Sequence, residues 1–349
     1  MTITDPAGQA AAHDGAEPGA LEIVPAAAVG RALDELRPTL TGTVAEAYRA
    51  HDAGRTVNPA SGFLRFPSTP DARIISLPAS LEYGHGVAGV KWIASFPGNV
   101  ARNRQRASAV LVLNDRATGY PVACLEAGRI SAARTAASAV LGAEAVTGGR
   151  RAEHVLVVGG GVIARTVVDH LLADGWSIGR LTVLDTVPEY AQRLADHAAA
   201  GGIAAGTVTD PATAAADSDL VVFATTAPAP WYEQPLPPGQ TVLELSLRDL
   251  PVSAVLGANN IVDDVDHCLT AATSVHLAEQ QVGHREFVSG TLAGLLRGEV
   301  GLDPARPTVF SPFGLGVLDL AVGVRVLERA RAAGDLVRVD GFLGDPTRW

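Results

Sequence analysis

Lys91 lies inside an apolar run, Val87 to Ile93, and opens the block Lys91-Trp92-Ile93-Ala94-Ser95-Phe96-Pro97-Gly98-Asn99. An ammonium in such a strand is costly unless a carboxylate or a ligand neutralises it. Arg134 poses the same question in Ile130-Ser131-Ala132-Ala133-Arg134-Thr135-Ala136-Ala137-Ser138, one charge among small residues. Small residues allow close approach, and Arg is the side chain suited to two-pronged capture of a carboxylate. Asp249, in Leu245-Ser246-Leu247-Arg248-Asp249-Leu250-Pro251, follows the apolar segment Val242 to Ser246. That position puts an acid at the carboxyl end of a strand, the edge where open α/β sheets bind their ligands.

A second constellation fits a dinucleotide. Val155-Leu156-Val157-Val158 runs into Gly159-x-Gly161-x-x-Ala164 and then into a helix. Gly159 permits the tight turn, Gly161 lets the backbone approach a pyrophosphate, and Ala164 lets helix and strand pack closely. The N–H groups of the helix start, at Gly161, Val162 and Ile163, face the phosphates. The next strand, Leu181 to Leu184, ends at Asp185, placed to hold ribose hydroxyls, and no Arg or Lys follows closely. Arg193 is too far along the next helix to meet a 2′-phosphate, so NAD is expected over NADP. Thr225 and Thr226 end another strand on this edge. They border the nicotinamide or form a plain hydroxyl-rich turn.

The elements that must position these residues divide in two. Leu33, Leu36, Leu40 and Val44 give Leu21 to about His51 a helical pattern, with an interruption at Pro38. Short strands follow at 63–67, 72–77, 87–93, 109–114 and 120–126, the last two joined by the turn Asp115 to Gly119. A small-residue helix from Ser131 to about Val146 bridges to strands alternating with helices: 155–158, 162–173, 181–185, 188–200, 220–224, 242–246 and 260–265. The predicted fold class is α/β, with a Rossmann-type doubly wound parallel sheet and a strand-rich α+β lobe before it. The last helix spans about Gly316 to Ala333.

Bulk properties narrow the function. The 349 residues carry a net charge of −10, which argues against general nucleic-acid binding. Lys is nearly absent and almost all positive charge is Arg. No apolar run is long enough for a bilayer, so no membrane partner is expected. The first 20 residues lack a basic start and an apolar stretch, and read as a frayed tail rather than a leader. Cys124 and Cys268 are far apart, match no metal spacing, and read as two buried thiols in a reducing cytoplasm. Asp263, Asp264 and Asp266 lack the Gly and Glu of a calcium loop and read as a capping or solvated acidic turn.

From about residue 21 onward the chain resembles the ornithine cyclodeaminase/mu-crystallin family. The resemblance rests on the segments around Lys91, Arg134 and Asp249, together with Asn58-Pro59-x-Ser61-x-Phe63-Leu64-Arg65-Phe66-Pro67, Arg106-Ala107-Ser108-Ala109, Leu113-Asn114-Asp115, Ala123-Cys124-Leu125-Glu126 and Val262-Asp263-Asp264. It implies that Lys91 and Arg134 hold a substrate α-carboxylate, that Arg55 assists, and that Asp249 is the acid/base. It divides the chain into a tail (1–20), a substrate-binding and dimerisation domain (21–135, rejoined by 325–349) and an NAD-binding domain (136–324), in a cytoplasmic homodimer. The quoted segments are similar to a branch that oxidatively cleaves a glutamate–diaminopropionate conjugate. A physical reason favours that branch over ornithine or lysine cyclodeamination. In a cyclodeaminase an acid in the strand before the Lys is useful to hold an ammonium, whereas here Arg65 stands there, suited to an extra carboxylate of an anionic amino-acid substrate or else simply facing solvent. Arg248 either binds a second carboxylate, tunes Asp249 or faces solvent. Arg106 and Ser108 are expected at the cofactor pyrophosphate. Gly314 and Asp319 lie where the family's last helix starts, near the cofactor, closing the site or shaping the helix.

Overall fold

The computed structural model describes residues 19–345 except 85 and 216, so most of the expected tail lies outside the described residues. In chain order the first lobe runs β1 (Leu21–Val24), α1 (Ala26–Asp52), β2 (Thr56–Val57), β3 (Gly62–Phe66), β4 (Thr69–Leu81), β5 (Val87–Ser95), β6 (Ala107–Asp115), β7 (Pro121–Glu126) and α2 (Gly128–Thr147). The second runs β8 (Arg151–Val158), α3 (Val162–Ala173), β9 (Ser177–Leu184), α4 (Pro188–Ala200), β10 (Ala205–Thr207), α5 (Pro211–Ala215), β11 (Leu220–Phe223), β12 (Thr241–Glu244), α6 (Val252–Leu256), β13 (Asn259–Val262), α7 (Val265–Cys268), α8 (Ser274–Val282), β14 (Val288–Thr291), α9 (Leu292–Leu296) and β15 (Thr308–Ser311). The chain closes with α10 (Gly316–Ala333) and β16 (Val337–Val339).

The strands form two sheets. The first has the order β16-β1-β7-β6-β5-β4-β2, with β3 also on the free edge of β4. The second is wholly parallel, in the order β10-β9-β8-β11-β12-β15-β13-β14. Val155–Val158 of β8 and all of β11 are apolar and buried, and β12 is buried too, as a parallel sheet covered on both faces requires. This is the expected doubly wound sheet.

Three details depart from the sequence reading. Leu21–Val24 is a strand between β7 and β16, not helix, because Pro25 stops it before α1 begins. Pro38 does not interrupt α1. Pro38 and Asp34 are both exposed, so the carbonyl that loses its partner four residues back faces solvent. Cys124 is only half-buried, whereas Cys268 is buried as expected. No helix among the described residues is long and apolar enough to cross a membrane.

α2 bridges the lobes. It packs on α1 and α10 on one side and on α3, β12 and β15 on the other. Gly142 is required there, since a Cβ would stand 2.4 Å from the Phe310 ring. α10 packs as one body against α1, α2 and the first sheet, so the expected boundary at 325 falls inside this helix.

Candidate active site

Lys91 sits mid-strand on β5 between Leu77 of β4 and Leu111 of β6, both buried. Its ammonium is 1% exposed. The neutralising group comes from the first turn of α10. Lys91 Nζ lies 2.6 Å from Asp319 Oδ2, and it donates to Ser131 Oγ at 3.1 Å. Arg134 Nε donates to the other oxygen, Asp319 Oδ1, at 3.2 Å. Ser131 and Arg134 are three residues apart on α2 and so share a face. One fully buried carboxylate, favoured by the positive end of its helix, thus gathers both cations. The trio carries a net charge of +1 and retains affinity for an anion. Burial first, and the Arg134 charge second, pull the Lys91 ammonium down to about 8, with Asp319 opposing.

Lys91 is also the only lysine in the chain. Where Arg serves every other basic position, the retained ammonium is the signal the sequence offered most directly. Asp319 was placed by sequence only at a helix start, and its bridging role depends on packing that no spacing reveals. Gly314, expected at the cofactor, instead leaves room for Arg134. Its φ is +95°, and a Cβ would meet Arg134 Nη1 at 2.2 Å. Its N–H donates to Asp263 Oδ2 at 2.6 Å, which ties β15 to the end of β13. Asp264 caps α7 through the His267 N–H, as a capping turn should.

Asp249 is fully buried at the end of β12. The turn that seats it passes through Leu247 at φ +76°, a left-handed conformation unusual for a branched residue. Its Oδ1 accepts from Thr225 Oγ1 (2.5 Å) and Trp231 Nε1 (2.7 Å), and its Oδ2 from Ser246 Oγ. Beneath it, Glu244 accepts from the Asp249 and Leu250 N–H groups and from the Ser274 and Ser311 hydroxyls. Burial pushes the Glu244 carboxyl up to about 7, those hydrogen bonds oppose the shift, and the Asp249 charge adds to it. Thr225 therefore holds the acid, while Thr226 is exposed.

The glycine turn adjoins this edge. Gly159 has φ +99°, and a Cβ would stand 2.5 Å from the Ala224 carbonyl, next to Thr225. Gly160, overlooked in the motif, is equally constrained, since a Cβ would meet the Tyr190 carbonyl at 2.6 Å. A Cβ on Gly161 would meet nothing within 4 Å, and so would occupy the open space before the N-terminus of α3. That helix has no side-chain cap, which leaves the first-turn N–H groups of Val162, Ile163 and Ala164 available to phosphate. Asp185 accepts from the Gly160 N–H at 2.6 Å, at the expected ribose position. Arg193 stacks over Tyr190. These features fit NAD.

The remaining arginines fall differently from the sequence grouping. Arg55 is exposed and lies over the Tyr83 ring at 5.7 Å, with no bond to Lys91, Arg134 or Asp319. Arg65 is not on the strand beside Lys91; β4 intervenes, and the residue facing Arg65 across it is Arg73. Arg106 and Arg248 lie near enough to Arg73 for their charges to act on it. Ser108 pairs with Ala94 and shares the outer face of the first sheet with Trp92 and Val110, because strand side chains alternate. The expected pyrophosphate contact of Ser108 is thus corrected.

With this geometry in place, comparison with known proteins is decisive at the family level. The profile of the ornithine cyclodeaminase/mu-crystallin family matches residues 25–334. The chain belongs to this family. Within it, the chain is similar to N-((2S)-2-amino-2-carboxyethyl)-L-glutamate dehydrogenase of Staphylococcus aureus, at 26% identity over 82% of this chain and 88% of that protein. Among solved structures it is similar to Thermococcus litoralis Delta(1)-pyrroline-2-carboxylate reductase in complex with NADH and L-proline, at TM-score 0.83 and 21% identity, covering 91% of this chain and 100% of the other. An archaeal alanine dehydrogenase dimer with bound NAD superposes at TM-score 0.81 and 23% identity, covering 92% and 99%.

Proposed function

We propose that this family member is an NAD-dependent dehydrogenase acting on the C–N bond of an anionic amino-acid conjugate, N-(2-amino-2-carboxyethyl)-L-glutamate, and that it releases 2-oxoglutarate and L-2,3-diaminopropionate. The observation that carries the reading is the Lys91–Asp319–Arg134 trio, with its uncancelled positive charge. Arg134 packs on Gly314 at the end of β15, and β15 neighbours β12, which leads to Asp249. The S. aureus relative and the quoted segments support the choice of substrate.

NAD, held by Gly159, Gly161, the α3 N-terminus and Asp185, supplies hydride acceptance when bound. Lys91 and Arg134 fix the glutamyl α-carboxylate and so orient its Cα hydrogen. Asp249 takes the proton of the bridging amine, freeing the lone pair that drives hydride loss and imine formation. Once that proton has passed to solvent, the same carboxylate takes a proton from the water that adds to the imine carbon and returns it to the nitrogen as collapse breaks the C–N bond, giving the ketone of 2-oxoglutarate and the free amine. The protein acts as a homodimer, with the outer face of the first sheet as the contact; exposed Leu64, Trp92 and Val110 share that face.

The test is the NADH absorbance band. Protein, NAD and the conjugate should form NADH and 2-oxoglutarate in equal amounts. Conversion of ornithine to proline and ammonia with no net NADH, and no reaction of the conjugate, would replace this reading by cyclodeamination.

A further inference from the structure

Four arginines cluster at one end of the first sheet, none of them in an ion pair among the described residues, with the exposed Asp71 two residues before Arg73 on β4. Arg65 on β3 is opposite Arg73 on β4, Arg73 is opposite Ser95 on β5, and Ser95 is opposite Ala107 on β6, the residue after Arg106. Directly opposed residues share a face of a sheet. Side chains alternate along β5, so Lys91, Ile93 and Ser95 also share that face. Arg65, Arg73 and Ser95 therefore lie on the Lys91 face, with Ser95 four residues, about 13 Å of strand, from Lys91, and Arg106, just before β6, is near enough for its charge to act on Arg73. The charge of Arg248, one residue before Asp249 beyond β12, also acts on Arg73.

The polar groups here lack partners. Ser95 is 8% exposed and its Oγ has no hydrogen bond. Arg248 Nη2 donates to the Ala271 carbonyl, but its buried Nε has no acceptor. Among the described residues, no carboxylate forms an ion pair with Arg65, Arg73, Arg106 or Arg248. Burial lowers the proton affinity of Arg73, and the charges of Arg106, Arg248 and Arg65 lower it further. Half-buried like charges without a counter-ion are unfavourable, and a bound anion would relieve them.

We infer that Arg73, Arg106 and Arg248, with Ser95 Oγ and with Arg65 at the rim, form a subsite for the substrate carboxylates beyond the one that faces Lys91 and Arg134. The inference rests on the proposed function for the orientation of the substrate, and it assigns a specificity role to Arg73, which the sequence did not single out. It restricts the substrate class to amino acids or conjugates with at least two carboxylates. An ornithine- or lysine-like side chain, which brings an ammonium to this cluster, is excluded by charge.

Binding of 2-oxoglutarate and of 2-oxobutyrate, which lacks the second carboxylate, to the NADH complex separates the outcomes. By calorimetry the wild type should prefer 2-oxoglutarate by about 10- to 100-fold, the worth of charge-assisted hydrogen bonds to one carboxylate. Arg73→Gln should remove most of that preference while NADH affinity stays the same, and Arg73→Lys should restore part of it. The Tm of ligand-free Arg73→Gln should be no lower than that of the wild type, because removing one of four like charges relieves repulsion. Absence of a preference, or no binding of either acid, overturns the subsite. So does an equal loss of NADH affinity in Arg73→Gln, which would assign the cluster to the cofactor phosphates. If the wild type prefers 2-oxoglutarate yet fails to oxidise the conjugate, the proposed reaction falls and the subsite stands.

Discussion

Asp319→Asn separates the proposed carboxylate site from a merely packed core. In the native protein one carboxylate at 0% exposure lies 2.6 Å from Lys91 Nζ and 3.2 Å from Arg134 Nε. The substitution preserves shape but leaves two cations, at 1% and 9% exposure, without a counter-charge. Removing one partner of a buried ion pair costs about 3–5 kcal/mol. At about 2 °C per kcal/mol for a chain this long, Tm should fall by about 6–10 °C in differential scanning calorimetry. Asp335→Asn, which breaks an exposed pair with Arg31, should leave Tm nearly unchanged because solvent screens it. A second readout follows from the same geometry. Asp319 is the group that holds the Lys91 proton on, so the ammonium should titrate below its native value of about 8 in the variant. Saturating 2-oxoglutarate with NADH should restore much of the lost Tm, because the ligand supplies the missing negative charge. A Tm within about 2 °C of wild type, with Lys91 still titrating near 8, would refute the claim that Asp319 organises the two cations.

The other expectations are more compact. Asp249→Asn should abolish turnover while NADH binding, followed by fluorescence titration, stays near normal; retention of most activity would remove Asp249 from the chemistry. Since Lys91 is the only lysine, [15N]lysine labelling should give one Nζ signal with a midpoint near pH 8. Substrate affinity should then decline as pH rises through about 8, because only the ammonium attracts a carboxylate; a flat KM between pH 7 and 9 would contradict this. Glu244 keeps its proton up to about 7 in the fold against 4.5 ordinarily, so the stability it contributes is full below 4.5 and is lost as pH rises through 7. Glu244→Gln should flatten that decline in denaturant titrations, by at most about 3 kcal/mol, and parallel pH profiles would disprove the shift. Gly314→Ala should push on Arg134 and raise KM for the substrate about 10-fold or more; unchanged KM would show that the guanidinium has room to spare.

What could be read from the residues follows from the range over which each signal acts. The glycine turn, the acid after the second strand, and the helices 162–173, 188–200 and 316–333 are local patterns, and they stand in the structure at those bounds. Strand pairing is not local. The apolar residues of β1 continue the helical pattern of α1, and only pairing with β7 and β16 makes the segment a strand. Glu244 ends an apolar strand in the sequence, although it anchors the Asp249 turn through the Asp249 and Leu250 N–H groups and is itself held by the Ser274 and Ser311 hydroxyls from distant segments.

The same division runs through the site. The sequence by itself determined that a buried ammonium, a guanidinium among small residues and a strand-end acid would be present, since each is improbable in its own segment without a partner. It could not determine who the partners are. Tertiary structure decided that Lys91 and Arg134 meet on Asp319, more than 180 residues along the chain from Arg134, and that Arg55 stands apart. It also decided that Arg65 faces Arg73 across the strands, with Arg106 and Arg248 near enough for their charges to act on Arg73. Charge acts through space, and the spacing that matters is set by sheet register and helix packing rather than by order along the chain.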